Sequence, residues 1–246
     1  MPEISYSTAN VPVRADFTAA HSRFWKRLAA PGAWWTGAQR VAIAGEVRQA
    51  RLCTLCKDRQ AALTPVAVQG QHDCLDLLPE PAVEVIHRLV TDPGRLSRTW
   101  FQSILAAGVS EEQYVEIIGT LVALVSIDSF CRGIGVPLHP LPESQDGAPS
   151  YYRPPGARRE DAWVSMIPVA YATDQEADLY DGLPVGNVIR AMSLVPDEVR
   201  TLKDLSIAHY LPMDSVRNPS ASAGTLNRMQ MELIAGRVSA LRQCFY

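Results

Sequence analysis

The sequence predicts an all-α protein built of two helical halves. Three observations carry that reading. Apolar residues recur at helical spacing along most of the chain, no run alternates with period two for long enough to make a sheet, and proline and glycine gather in one stretch, 136–163. With 246 residues the chain can bury a sizeable core, and 47% hydrophobic against 20% charged residues excludes disorder for most of it.

Asp16 is placed to cap a first helix running to Ala30, where Ala30-Pro31-Gly32 breaks it. Thr36 then caps a longer helix reaching about Leu63, with Val41, Ile43, Ala44, Val47, Ala50 and Leu52 as its apolar face and Thr64-Pro65 as its stop. Helices follow over 81–91, with Pro81 in the first turn, and over 95–107, ended by Gly108. Ser110 with Gln113 three residues on is a capping box that opens a helix over 111–133. Six prolines and two glycines among polar residues make 136–163 an ordered loop or linker. Helical periodicity returns over 185–194, 196–210 and 225–246. The division expected is an N-terminal helical half, 1–135, a connection, 136–184, and a C-terminal half, 185–246.

With 23 Lys+Arg against 26 Asp+Glu and a net charge of -3, nothing electrostatic points to nucleic acid or an anionic membrane as a partner. A small neutral substrate or another protein is expected instead. The apolar run 121–127 is bounded by Glu116 and Asp128, short of the roughly 18 residues of a membrane span. The amino terminus has neither the basic start nor the apolar stretch of a secretory signal, so the expected location is the cytoplasm.

The five cysteines, Cys53, Cys56, Cys74, Cys131 and Cys244, are an odd and sparse set that suits thiol or metal chemistry in a reducing compartment. Cys53-Thr54-Leu55-Cys56 is an intact Cys-x-x-Cys, and on a continuous helix Glu46 stands two turns earlier on about the same face. Residues i and i+3 share a helix face, so both sulfurs can meet one substrate and then each other while a carboxylate or imidazole takes the thiol proton. Two plainer readings compete: a pair of buried core cysteines, or a zinc site completed by His72 and Cys74, whose spacing is tight for a second ligand pair. His87, among Val83, Val85, Ile86, Leu89 and Val90, is a structural histidine or a proton relay. Glu116 and Glu232 lie within apolar helices and are expected to be buried and hydrogen-bonded; Asp128 and Cys131 read as core residues. Arg95 and Arg98 are expected to cap helices or pair with carboxylates.

Glu232 precedes Cys244 by twelve residues, with Leu233-Ile234-Ala235 and Val238-Ser239-Ala240-Leu241 between them. This stretch resembles the alkylhydroperoxidase D-like, or carboxymuconolactone decarboxylase, superfamily. Its signature is a Glu twelve residues before the first Cys of a Cys-x-x-Cys and a His four residues after the second. The same step separates Glu116 from Asp128, and Asp128-Ser129-Phe130-Cys131 looks like a degenerate copy with Gly135 in place of the His. At Cys53 and Cys56 the register holds Val41 in place of the Glu and Gln60 in place of the His. The stretches 89–98 and 135–141 look like a long peroxidase-related branch, some members of which carry selenocysteine at the second thiol position. The sequence stops at Tyr246, one residue before that position, so the resemblance implies a reading frame closed at a recoded stop codon.

The resemblance further implies an alkylhydroperoxidase-like helical bundle, assembled as a homo-oligomer. The reaction it implies is thiol-dependent reduction of a hydroperoxide, with a dithiol protein or small thiol as reductant and no cofactor or metal. Cys53 and Cys56 are then the complete redox pair and Glu46 the proton acceptor, with His87, Glu232 and Cys244 as further catalytic candidates. The alternatives are a decarboxylase-type lyase and a helical oligomer or binding module whose active site has decayed.

Overall fold

The computed structural model describes residues 4–173, 175–180, 186–212, 215–216, 218–222, 224–241 and 244. Helix makes up 54% and strand 2%, so the protein is all-α, as its sequence predicts. The helices are α1 (Ala15–Ala29), α2 (Gly37–Gln49), α3 (Thr54–Ala61), α4 (Glu80–Thr91), α5 (Arg98–Ala106), α6 (Glu111–Gly133), α7 (Asn187–Arg190), α8 (Pro196–His209) and α9 (Arg228–Leu241). A two-residue antiparallel ladder, β1 (Arg158–Arg159) with β2 (Ser165–Met166), is too short to leave a period-two pattern in the sequence.

α6 is the central element and packs against α1, α2, α4 and α8. Its sequence dictates that place. Ser110 and Gln113 close the capping box at 3.0 and 3.1 Å, and apolar residues surround the helix, so that Val115, Ile117, Leu121, Leu124 and Ile127 are all buried. By length and composition α6 is apolar enough to cross a bilayer, which corrects the expectation that no such run exists; 67% of that stretch is buried inside the fold. Leu194, Val199 and Leu205 belong to the same apolar cluster as Phe24, Leu28, Ile43 and Leu124, so residues from both ends of the chain share one core. The connection is ordered over 136–163 and tied to α1 and the turn after it: Trp25 Nε1 donates to Pro140 O at 2.9 Å, Gln145 N to Ala29 O at 2.8 Å and Tyr151 N to Ala33 O at 2.8 Å.

Several boundaries differ from those the sequence predicts. Arg14, not Asp16, is the N-cap of α1; Asp16 sits in the first turn, where its charge suits the helix dipole and pairs with Arg14 at 2.6 Å. The helix expected from Thr36 to Leu63 is two helices. α2 opens with the capping box of Thr36 and Gln39 but ends at Gln49, the chain turns over 50–53, and α3 begins afresh, its Thr54 amide donating to the Asp73 carboxylate at 2.7 Å. α5 starts at Arg98 because Ser97 caps it, and Gly108 with φ +102° ends it as expected. Within 185–194 the described helix is α7 alone, and the last helix covers Arg228–Leu241; residues 181–185, 242, 243, 245 and 246 lie outside the described set.

A buried ion triad seats α2. Arg40 Nη1 donates to Glu116 Oε1 on α6 at 2.5 Å and to Glu198 Oε1 on α8 at 3.2 Å, while Trp34 N donates to Glu116 Oε2 at 2.6 Å. The packing leaves no room for a Cβ at Gly32, where it would overlap Glu116 Oε1, or at Gly119, where it would overlap Glu198 Oε2. Burial, opposed by the Arg40 guanidinium and reinforced by the Glu116 charge, pushes the Glu198 carboxyl up to about 7.

Candidate functional site

The turn at 50–53 creates the site. By ending α2 and starting α3, it places Cys53 at the N-cap of α3, beside free amides and the positive end of the helix, and Cys56 in its first turn. Glu46 lies on α2 and not, as its spacing predicts, on the same helix as the thiols. The segment between α3 and α4 crosses back over the pair and delivers His72 and Asp73, while α4 supplies Glu84 and His87, one turn apart. Cys53, Glu46 and His87 have no exposed surface and Cys56 keeps 2%.

Two imidazole–carboxylate pairs face the two sulfurs. His87 Nδ1 lies 3.2 Å from Cys56 Sγ, and its Nε2 lies 2.7 Å from Glu46 Oε1. A carboxylate oxygen accepts, so Nε2 carries the hydrogen and the Nδ1 lone pair of the neutral ring is aimed at the Cys56 thiol. The second carboxylate oxygen of Glu46 accepts from Leu75 N at 3.0 Å. His72 repeats the pattern: Nδ1 is 3.5 Å from Cys56 Sγ and 3.6 Å from Cys53 Sγ, and Nε2 is 2.8 Å from Glu84 Oε2. Glu84 is itself held by Arg59 at 2.8 Å and by the Trp100 indole at 3.0 Å. Four ligating atoms, one each from Cys53, Cys56, His72 and His87, lie within 4.8 Å of one another.

The electrostatics follow from these contacts. Burial raises the Cys53 thiol, but hydrogen bonds from the Cys56 amide, His72 and the Asp73 amide outweigh it and hold the thiol below its ordinary value. Burial lowers His72, yet its bonds to Cys56, Glu84 and Cys53 carry it up to about 10. Burial likewise opposes ionisation of Glu84, and its bonds to His72, Arg59 and Trp100 bring it down to about 2. His87 lies below its ordinary value because burial exceeds the pull of Glu46. Cys56 lines a cavity of about 370 Å³ with Ala50, Gln60, Val90 and Thr91, and His72 lines one of about 710 Å³ with Arg59, Cys74 and Glu84.

The structure thus brings together Glu46, Cys53, Cys56 and His87 among the residues singled out from sequence. Glu46 reaches the thiols only through His87. Cys74 stands apart from the four, its Sγ donating to Asp76 Oδ1 at 3.1 Å, and His87 takes the corner proposed for it beside His72. Glu232 is not buried: it accepts from the Tyr210 hydroxyl and from Arg228 Nε, the latter at 2.7 Å, and Cys244 is exposed. Glu116 is buried in the triad as expected, and Asp128 is buried against Arg48 at 2.8 Å. Arg95 does both things expected of it, donating to the Ala62 and Arg59 carbonyls at the end of α3 at 2.8 Å and pairing with Asp92 at 2.8 Å. Glu84 was missed; its one signal is that it precedes His87 by three residues on a helix.

A second buried cluster also combines a cysteine with histidines. The Tyr6 hydroxyl contacts His21 Nδ1 and lies 3.9 Å from Cys131 Sγ, and His21 Nε2 lies 2.6 Å from His209 Nε2. His139 stacks edge-on against Tyr6 with its Nε2 buried and without a hydrogen-bond partner. Burial, with the neighbouring His209 and His139, pushes His21 down to about 3, and burial raises the Cys131 thiol.

Comparison of the chain with protein-family models, with curated proteins and with solved structures finds no match. The site itself is therefore the ground for a functional reading.

Proposed function

We propose that the protein is a thiol-dependent, peroxidase-like oxidoreductase that reduces hydroperoxides through Cys53 and Cys56 on an alkylhydroperoxidase-like helical bundle. The observation that supports this most directly is the relay Cys56 Sγ, His87 Nδ1, His87 Nε2, Glu46 Oε1, with spacings of 3.2 and 2.7 Å, beside a second thiol. It has the nucleophile, base and orienting carboxylate that activated-thiol chemistry requires.

In this reading His87 Nδ1 takes the Cys56 proton. The thiolate attacks the distal oxygen of a hydroperoxide, the O–O bond breaks, and the departing alkoxide takes the proton back from His87 as an alcohol. Cys56 is left as a sulfenic acid. The Cys53 thiolate, paired with the His72 imidazolium, then attacks the Cys56 sulfur. The S–O bond breaks, hydroxide leaves with the His72 proton as water, and the disulfide is formed. Two thiols and one hydroperoxide give one disulfide, one alcohol and one water, and an external dithiol returns the pair to the reduced state. Glu46 positions the imidazole and does not touch the sulfur.

The test uses a Cys74→Ser, Cys244→Ser background, treated with chelator and reduced, and counts thiols after one equivalent of hydroperoxide. Loss of two thiols, abolished by Cys56→Ser, supports the reading. Cys53→Ser should stop at a sulfenic acid that dimedone traps. Retention of both thiols in the unsubstituted site overturns it.

A further inference from the structure

We propose that Cys53, Cys56, His72 and His87 form a closed, tetrahedral S₂N₂ site for a divalent cation of the zinc type. From Zn–S and Zn–N distances of about 2.3 and 2.05 Å, a tetrahedron has S···N edges of about 3.6 Å. The three such edges recorded here are 3.6, 3.5 and 3.2 Å, and all four ligating atoms fit within 4.8 Å of one another.

Hydrogen bonding alone serves this arrangement poorly. His72 Nδ1 is nearly equidistant from two sulfurs, at 3.5 and 3.6 Å, and its single N–H can satisfy one of them, whereas a cation placed between the sulfurs and the rings satisfies every donor at once. The outer contacts have the form a metal site needs. Each histidine turns Nδ1 to the centre and gives its Nε2–H to a carboxylate, Glu46 for His87 and Glu84 for His72, which fixes the tautomer and raises the ring's strength as a ligand. The Asp73 amide points at Cys53 Sγ from 3.4 Å, suited to a metal-bound thiolate. Two thiolates balance a divalent charge, so the loaded site buries no net charge among its four ligands. All four ligands come from the protein, which marks the site as one that holds its cation rather than one that offers an open position to substrate.

This inference stands apart from the peroxidase reading, although both use the same sulfurs, and its test contains no peroxide. Reduced, anaerobic protein, stripped of metal and titrated with zinc and then with cobalt, should bind one ion per chain. The cobalt form should show thiolate charge-transfer and the intense visible bands of a tetrahedral S₂N₂ centre. Cys56→Ser and His87→Asn should each abolish stoichiometric binding, while Cys74→Ser should leave it unchanged. Circular dichroism of the same samples separates a lost ligand from a lost fold. A weak, octahedral cobalt spectrum in the folded unsubstituted protein, the absence of stoichiometric binding there, or binding that survives in a folded His87→Asn protein overturns the assignment. None of these results bears on peroxide-driven thiol loss in the stripped protein.

Discussion

The protein buries a cysteine beside histidines in two places and surrounds them differently. Around Cys53 and Cys56, each imidazole is hydrogen-bonded to a carboxylate on the side away from sulfur. Around Cys131, His21 is spent on the Tyr6 hydroxyl and on His209, and among the described residues no carboxylate is bonded to any of these rings. The same residue types therefore behave in opposite ways. Carboxylates orient the first pair of rings, and bonds to Cys56, Glu84 and Cys53 together sustain charge at His72, whereas burial keeps His21 neutral and leaves Cys131 a protonated core thiol. On the proposed reading, a buried cysteine beside a histidine is not enough for reactivity, and the carboxylate behind the histidine makes the difference.

The largest effects should come from exchanging the cysteines. Cys56→Ser should reduce peroxide-driven disulfide formation to background, whereas Cys131→Ser should leave its rate within about twofold of the unsubstituted protein, since this thiol has no oriented base. Rapid-mixing thiol titration measures both. His87→Asn removes the base but keeps both thiols, and should slow the reaction by about 10²–10⁴-fold.

Replacing a supporting carboxylate should have a smaller effect. Glu46→Gln and Glu84→Gln should each weaken zinc binding by about 10–100-fold without changing its stoichiometry, as read by competition against a chromophoric chelator. Bound zinc should in turn protect Cys53 and Cys56 from hydroperoxide, and prior removal of the metal should restore the stoichiometric loss of thiols.

The second cluster predicts how stability depends on pH. His21 has a folded value of about 3 against an ordinary value of 6.5, so in this window the unfolded chain binds the proton and the folded chain does not. Stability then falls as pH falls through 6.5 and continues to fall toward 3, by about 2 kcal/mol for this one group between pH 7 and pH 5. Urea melts at the two values measure this, and His21→Phe should remove this group's share of the difference. The smallest effect expected is on thiol labelling: under native conditions Cys131 should stay unmodified while exposed Cys244 reacts, and only unfolding should equalise them.

Local features were legible in the sequence and long-range ones were not. The boxes of Thr36 with Gln39 and Ser110 with Gln113 close within one turn, so their residue types suffice to place α2 and α6. The end of α2 at Gln49 was hidden because apolar residues continue through Ala50 and Leu52, and because Asp73, nineteen residues after Thr54, supplies the bond that starts α3. At the site, the Cys-x-x-Cys, Glu46 and His87 stood out by type, but the order of contact from Glu46 through His87 to sulfur is set by how α2 and α4 pack. The choice of His87 over Cys74 as the partner of His72 likewise depends on the path of the chain, which turns Cys74 toward Asp76, a residue in the left-handed region at φ +57°. Glu84 resembles any charged helix residue until Arg59, Trp100 and His72 converge on it.

The Arg40 triad imposes a schedule on biosynthesis. Every residue of the thiol site and its support, from Glu46 to Trp100, leaves the ribosome close together, but α2 is anchored through Arg40 to Glu198, 158 residues downstream. At about 5–20 residues per second, roughly 8–30 s separate the two ends of that anchor. Glu116 emerges midway, so Arg40 has its first carboxylate partner available before its second has been made. Translation of α8 supplies the second, Glu198, which packs over Gly119, so the triad that seats α2 cannot be complete before α8 has been made.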